Sequence, residues 1–108
     1  RFVKLGGEMI SLPQMEAALG RHFMAPAGQE GPVLAVDALE EEGQTVLVLF
    51  TTLPLEREQA NTVLRAEGLS ALYMLRRVRR LAALPLLGSG KVDYRSLRAL
   101  AMQEGQGV

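Results

Sequence analysis

VLAVDALEEEGQTVLVLF, residues 33–50, is the stretch on which the fold turns. Val33–Leu39 and Thr45–Phe50 are β-branched and apolar, and the acidic run Glu40, Glu41, Glu42 with Gly43 separates them. Two such runs joined by a short turn predict a β-hairpin. Their near-continuous hydrophobicity, without the alternation of a half-wet strand, predicts a sheet covered by a helix on at least one face. Upstream, Phe2–Leu5 and Glu8–Ser11 are short β-prone runs joined by Gly6 and Gly7, and a Gly-Gly link favours the primed turns that need positive φ at both centres. Ser11 is placed to cap a helix with Pro13 in its first turn; Met15, Ala18, Leu19 and Phe23 carry the helical spacing to about Met24. Pro26–Pro32 is a loop.

Downstream, Pro54–Glu67 reads as a second helix with a stripe of Leu55, Ala60, Val63 and Leu64, and Gly68 as its stop. Leu69–Met74 fits a short helix or a loop. Arg76–Leu84 fits a strand, with Val78 and Ala82 on one face, better than a continued helix. After the Gly-rich loop Pro85–Lys91, Asp93 caps a last helix reaching about Met102, with Leu97 and Leu100 inward. The order ββαββαβα predicts an α+β domain: a small sheet and an N-terminal β-hairpin packed on about three helices.

With 108 residues the chain has room for one domain. Its composition, 48% apolar and 22% charged, is that of a globular protein. The absence of Cys excludes disulfides, a thiolate nucleophile and Cys-based metal sites. A single His, His22, makes catalytic triads and His-rich metal sites poor fits; it reads as structural, and no metal site is expected. Met9, Met15 and Met24 read as core filler, and Glu40–Glu42 as a solvated turn. Twelve basic and twelve acidic residues leave no net charge, which argues for neither nucleic acid nor an anionic membrane. The balance is uneven, however. Residues 1–54 carry three basic and seven acidic groups, whereas residues 55–108 carry nine and five. Arg76, Arg77, Arg79 and Arg80 concentrate the basic excess. They form either a steering surface for an acidic partner or a charged strand edge. The chain opens on Arg1 with no signal segment or membrane-length apolar run, and residues 103–108 lose apolar period. The expectation is a domain cut from the C-terminal end of a larger protein, with 103–108 as a frayed tail.

Lys91 is the most telling candidate for chemistry. Its loop is neither of the common phosphate-binding motifs: Pro85 and Val92 stand where a P-loop needs Gly and Ser or Thr, and Asp93 stands where a dinucleotide fingerprint needs its third Gly. What remains is a lysine on a Gly-flanked loop before a helix. It is either a solvated surface group or a mobile point charge for a carboxylate or phosphate.

Leu84, Pro85, Gly88, Ser89, Gly90, Lys91, Val92, Asp93, Tyr94 and Leu97 together resemble the last motif of the acyl-adenylate-forming superfamily, which includes acyl-CoA synthetases, luciferases and peptide-synthetase adenylation domains. Residues 1–16 resemble its hinge-proximal hairpin motif, in the right order and at the right separation, so the resemblance covers essentially the whole chain. Gly6–Leu12 together with Pro85–Tyr94 look most like the acyl-carrier-protein synthetase branch fused to a bacterial 2-acylglycerophosphoethanolamine acyltransferase, and Leu86–Ser89, where the usual loop carries Pro-Lys-Thr, points the same way. The resemblance implies a mobile C-terminal domain, cut near its hinge, whose parent converts a fatty acid and ATP to acyl-AMP. After a large domain rotation, a pantetheine thiol then displaces AMP. Lys91 corresponds to the adenylation lysine, Gly6 and Gly7 to the loop lining the pantetheine channel, and Arg1 to the hinge or its neighbour. Lys4 either faces the adenylate or is a solvated hairpin residue. ATP and Mg²⁺ would be bound mainly by the absent N-terminal adenylation domain, with none expected in this fragment. The fragment alone would be inactive. The implied partners are that domain, a fatty acid, and acyl carrier protein or CoA, with no nucleic acid and no membrane insertion. The implied location is the cytoplasmic face, with the parent at the bacterial inner membrane. The alternatives are the same domain of a fatty acyl-CoA ligase and a non-catalytic module docking an acidic carrier protein.

Overall fold

The computed structural model describes residues 1–106. The order is β1 (Phe2–Leu5), β2 (Glu8–Ser11), α1 (Leu12–Gly20), β3 (Leu34–Glu41), β4 (Gln44–Thr51), α2 (Arg57–Ala66), a 3₁₀ turn (Ala71–Tyr73), β5 (Arg77–Arg80) and α3 (Tyr94–Gln106). This is the expected ββαββαβα α+β arrangement, divided between two sheets: the β1–β2 hairpin and a mixed sheet in the order β3-β4-β5. β3 runs antiparallel to β4, and β5 runs parallel to it after the α2 crossover.

β4 explains the apolar run Val46–Phe50. It is the central strand, and Val46–Phe50 are all buried. Leu47 and Leu49 face one core with Met15, Leu19 and Leu64 from α1 and α2. Val46, Val48 and Phe50 face a second core with Leu97 and Ala101 from α3. The helices therefore cover both faces, and Val46–Phe50 carry no polar side chain.

Local signals place the ends of most elements. Ser11 accepts from the backbone N–H of Gln14 at 3.2 Å, as its N-cap position predicts. Gly68 has φ +88°; its N–H reaches Arg65 O and that of Leu69 reaches Leu64 O, the paired bonds of a Schellman stop. Asp93 accepts from the Ser96 backbone at 3.1 Å and from its hydroxyl at 2.7 Å, which draws its carboxyl below the ordinary range.

Several boundaries differ from expectation. α1 stops at Gly20 rather than Met24, because glycine is a poor helix residue and Arg21 and His22 both turn to the Glu67 carboxylate beyond α2. Phe23 still packs on the first core. α2 starts at Arg57 rather than Pro54; Glu56 is extended, and its N–H bonds the Gln59 side chain at 2.9 Å. Leu69–Met74 resolves into the 3₁₀ turn and its flanks. β5 ends at Arg80, opposite the last residue of β4, so Ala82 is exposed rather than aligned with Val78. α3 turns Leu97 and Ala101 inward, leaving Leu100 37% exposed. It runs beyond Met102 to Gln106, so residues 103–106 of the expected tail are helical, and 107–108 lie outside the described residues.

Candidate functional site

Lys91 lies on a closed loop before α3. Leu86 and Val92 form an isolated antiparallel bridge, Leu87 N–H donates to Lys91 O at 2.7 Å, and Gly90 N–H donates to Leu87 O at 2.9 Å. Gly90 supports the reversal with φ +90°. At the base, Asp93 N–H donates to Pro85 O at 2.9 Å. Lys91 itself is exposed, as are Leu86 and Leu87, and a Cβ built on Gly88 or Gly90 would meet nothing within 4 Å. The loop is thus rigid at its stem and open at its tip. Among the described residues, the Lys91 ammonium has no ion-pair partner, which leaves it available to an incoming anion.

The β1–β2 hairpin turns Val3, Leu5 and Ile10 to the first core. Strand alternation places Phe2, Lys4 and Met9 on the other face, with Lys4 opposite Met9. Lys4 is exposed, and Phe2 and Met9 are 64% and 55% exposed. Gly6 and Gly7 have φ of +56° and +82°. Gly6 borders a surface hollow of about 470 Å³ shared with Leu5, Arg57, Leu72 and Arg76. The structure therefore places Gly6 and Arg76, far apart in sequence, on one hollow.

Arg1 is held by side-chain bonds. Its guanidinium bonds Glu16 Oε1 at 3.0 Å and Val36 O at 2.6 Å, and lies 3.6 Å from the centre of the Tyr94 ring. The arginine run does not present a single surface. Arg77 and Arg79 share one face of β5, and Val78 and Arg80 the other. Arg77 pairs with Glu41, while Arg80 Nε bonds Thr52 O at 3.3 Å. Burial, together with the Arg77 charge, lowers the Arg79 pKa. Arg77 borders a second hollow of about 950 Å³ with Arg98, Val46 and Met102; Lys91 lines neither hollow.

Sequence reasoning missed three polar ties. Asp37, only 1% exposed, takes a bidentate bond from Arg98 at 2.7 and 3.1 Å, which fastens α3 to the sheet and raises the Arg98 pKa. Its signal was an acid inside an apolar strand. Asn61 bonds both the N–H and the C=O of Leu75, at 2.7 and 3.1 Å. Glu16 accepts from Tyr94 Oη at 2.6 Å. Glu40 and Glu41 belong to β3 rather than to the turn; Glu40 and Glu42 are exposed as expected, and Glu41 pairs with Arg77. Among the described residues no group of three or more acidic, His or Cys side chains could hold a metal ion. These residues do not fit Mg²⁺. No described helix is long and apolar enough to cross a membrane.

No family model matches the sequence. Among solved structures, the chain is similar to a Mycobacterium tuberculosis fatty acyl CoA synthetase (TM-score 0.70, 19% identity, covering 92% of this chain and 19% of that one). It is similar to Brucella canis acyl-CoA synthetase at TM-score 0.69 and 24% identity, covering 92% and 18%. Apo MbtA of Mycobacterium smegmatis gives TM-score 0.74 and 21% identity, again covering 92% and 18%. The chain spans about a fifth of the length of each of these structures, and over that fifth it has their fold.

Proposed function

We propose that this chain is the small mobile domain of an adenylate-forming acid–thiol ligase, in which Lys91 serves the adenylation step. The observation that carries this reading is the placement of Lys91. Among the described residues its ammonium has no ion-pair partner, and it sits on a tip-exposed, stem-tied loop in a fold shared with about a fifth of two acyl-CoA synthetase structures. When a carboxylate approaches the α-phosphate of ATP, two anions converge; a positioned ammonium lowers the energy of that approach. The carboxylate oxygen forms the bond to phosphorus as pyrophosphate leaves, and the later thiol step expels AMP. ATP and Mg²⁺ would sit mainly in a large domain of the parent.

The hairpin supports the second step. Bare backbone at Gly6 and Gly7 lets a thin prosthetic arm pass closely, and the hollow beside Gly6 offers Arg57 and Arg76 to its phosphate. Within this reading the acceptor is an acyl carrier protein, in an enzyme fused to a 2-acylglycerophosphoethanolamine acyltransferase at the cytoplasmic face of the inner membrane. The departure at Leu86–Ser89 supports that branch over a CoA ligase.

The experiment compares thiol acceptors on the parent enzyme. Turnover with acyl carrier protein and little with CoA is expected, and the reverse selects a CoA ligase. Titrating the isolated chain with acyl carrier protein at two salt concentrations tests the docking reading. Salt-sensitive binding, with Lys91→Ala leaving the parent's adenylation intact, would replace the catalytic reading with that one.

A further inference from the structure

We infer that the Glu16 carboxylate is a positioning group that ties the Lys91 loop to the entry strand of the domain; its catalytic meaning rests on the reading of Lys91 above. Four segments of the chain meet at this side chain. Oε1 accepts from Arg1 Nη1 at 3.0 Å, and Oε2 accepts from the Val36 N–H at 2.7 Å and the Tyr94 hydroxyl at 2.6 Å. Arg1 closes the arrangement by donating to Val36 O at 2.6 Å and stacking on the Tyr94 ring.

Part of this is protection of a sheet edge. β3 is an edge strand, and Glu16 with Arg1 satisfies both the N–H and the C=O of Val36. Edge protection does not require Tyr94, since Oε2 already has the Val36 N–H. The phenol adds a fourth segment, and burial together with its bond to Glu16 keeps it protonated, hence a donor, well above the ordinary tyrosine range.

Tyr94 is the first residue of α3 and stands three positions after Lys91. The two residues between them are held as well, Val92 by its bridge to Leu86 and Asp93 by Pro85 O. Short links therefore run unbroken from Glu16 to Lys91. Nothing packs beside Gly88 or Gly90 at the loop tip, so the loop takes its direction from its stem. At the other end, Arg1 adjoins β1, and Leu12 N–H donates to its carbonyl at 3.1 Å. A rotation imposed through the entry strand would thus reach Lys91 through side chains as well as through the core.

The test follows hydrogen exchange of the Leu87 and Gly90 amides, both bonded within the loop, in the 108-residue chain and in Glu16→Gln and Tyr94→Phe. Exchange should rise severalfold in each variant, the scale of one hydrogen bond's net contribution. Should Glu16→Gln fail to fold, Tyr94→Phe decides alone, because it removes one hydroxyl and keeps the ring under Arg1. Unchanged exchange at both amides, with a change at Val36 only, would overturn the inference. The same variants in the parent enzyme should lower kcat for adenylation more than they raise the KM for ATP. A loosened loop with unaffected adenylation would uphold the tie and refute the role of Lys91.

Discussion

Gly6 and Gly7 turn the first hairpin with φ of +56° and +82°, and Glu42 and Gly43 turn the second with +52° and +79°. The backbone is nearly the same, yet the leading position is bare in one hairpin and carries a glutamate in the other. A two-residue turn of this kind therefore does not demand glycine at its first position. The second hairpin has eight residues a side and buries its centre between two cores. The first has four, rests one face on the core, and exposes Phe2, Lys4 and Met9 on the other. Gly6 borders the hollow that Arg57 and Arg76 also line, where a Cβ would lie 3.4 Å from the Leu72 side chain. Turn chemistry accounts for Gly7; for Gly6, the neighbouring hollow gives the better reason.

This contrast can be broken at several strengths. Phe50→Ala, in the core of the long hairpin, should cost about 3–5 kcal/mol by urea unfolding. Met9→Ala, on the outer face of the short one, should stay within about 0.5 kcal/mol. Similar losses would show that the short hairpin is structural throughout. Gly7→Ala and Gly43→Ala should each cost about 1–2 kcal/mol, since both force an alanine into the left-handed region. Gly6→Ala should cost less, because Glu42 tolerates that φ, while slowing the parent's thioester step more than its adenylation. A loss at Gly6 equal to that at Gly7 would remove the case for a bare backbone there.

A smaller effect concerns pH. Bonds from Arg21 and His22 hold the Glu67 carboxyl below its ordinary range, and Ser96 does the same for Asp93. Depressed folded values mean stability that is present above the ordinary carboxylate range and lost as pH falls through it. The Tm should drop between about pH 5 and 3, and less steeply in Glu67→Gln.

What was legible in the sequence was local. Gly6 and Gly7, Ser11, Gly68 and Asp93 act on residues within a few positions, so their types predict their geometry. The β3–β4 pair was equally plain, because its apolar run has few other solutions. The end of α1 was obscured by Phe23, which keeps helical spacing yet reaches the core from a turn. Glu16 lies 78 positions from Tyr94, and Asp37 lies 61 from Arg98. Glu16 looked like an ordinary charged residue, and Asp37 stood out only as an acid in an apolar strand, until the fold supplied their partners. The arginine run was legible only as two alternatives: β5 is an edge strand, as one of them expects, while strand alternation divides the arginines and Glu41 pairs with Arg77.

The most direct test of the central claim separates the two half-reactions in a parent enzyme carrying Lys91→Ala. ATP–pyrophosphate exchange should fall about 10²–10³-fold, the scale for removing one preorganised charge stabiliser, while thioester formation from supplied acyl-AMP stays within a few-fold of wild type. Equal loss of both half-reactions, or exchange at the wild-type rate, would contradict the assignment of Lys91 to adenylation.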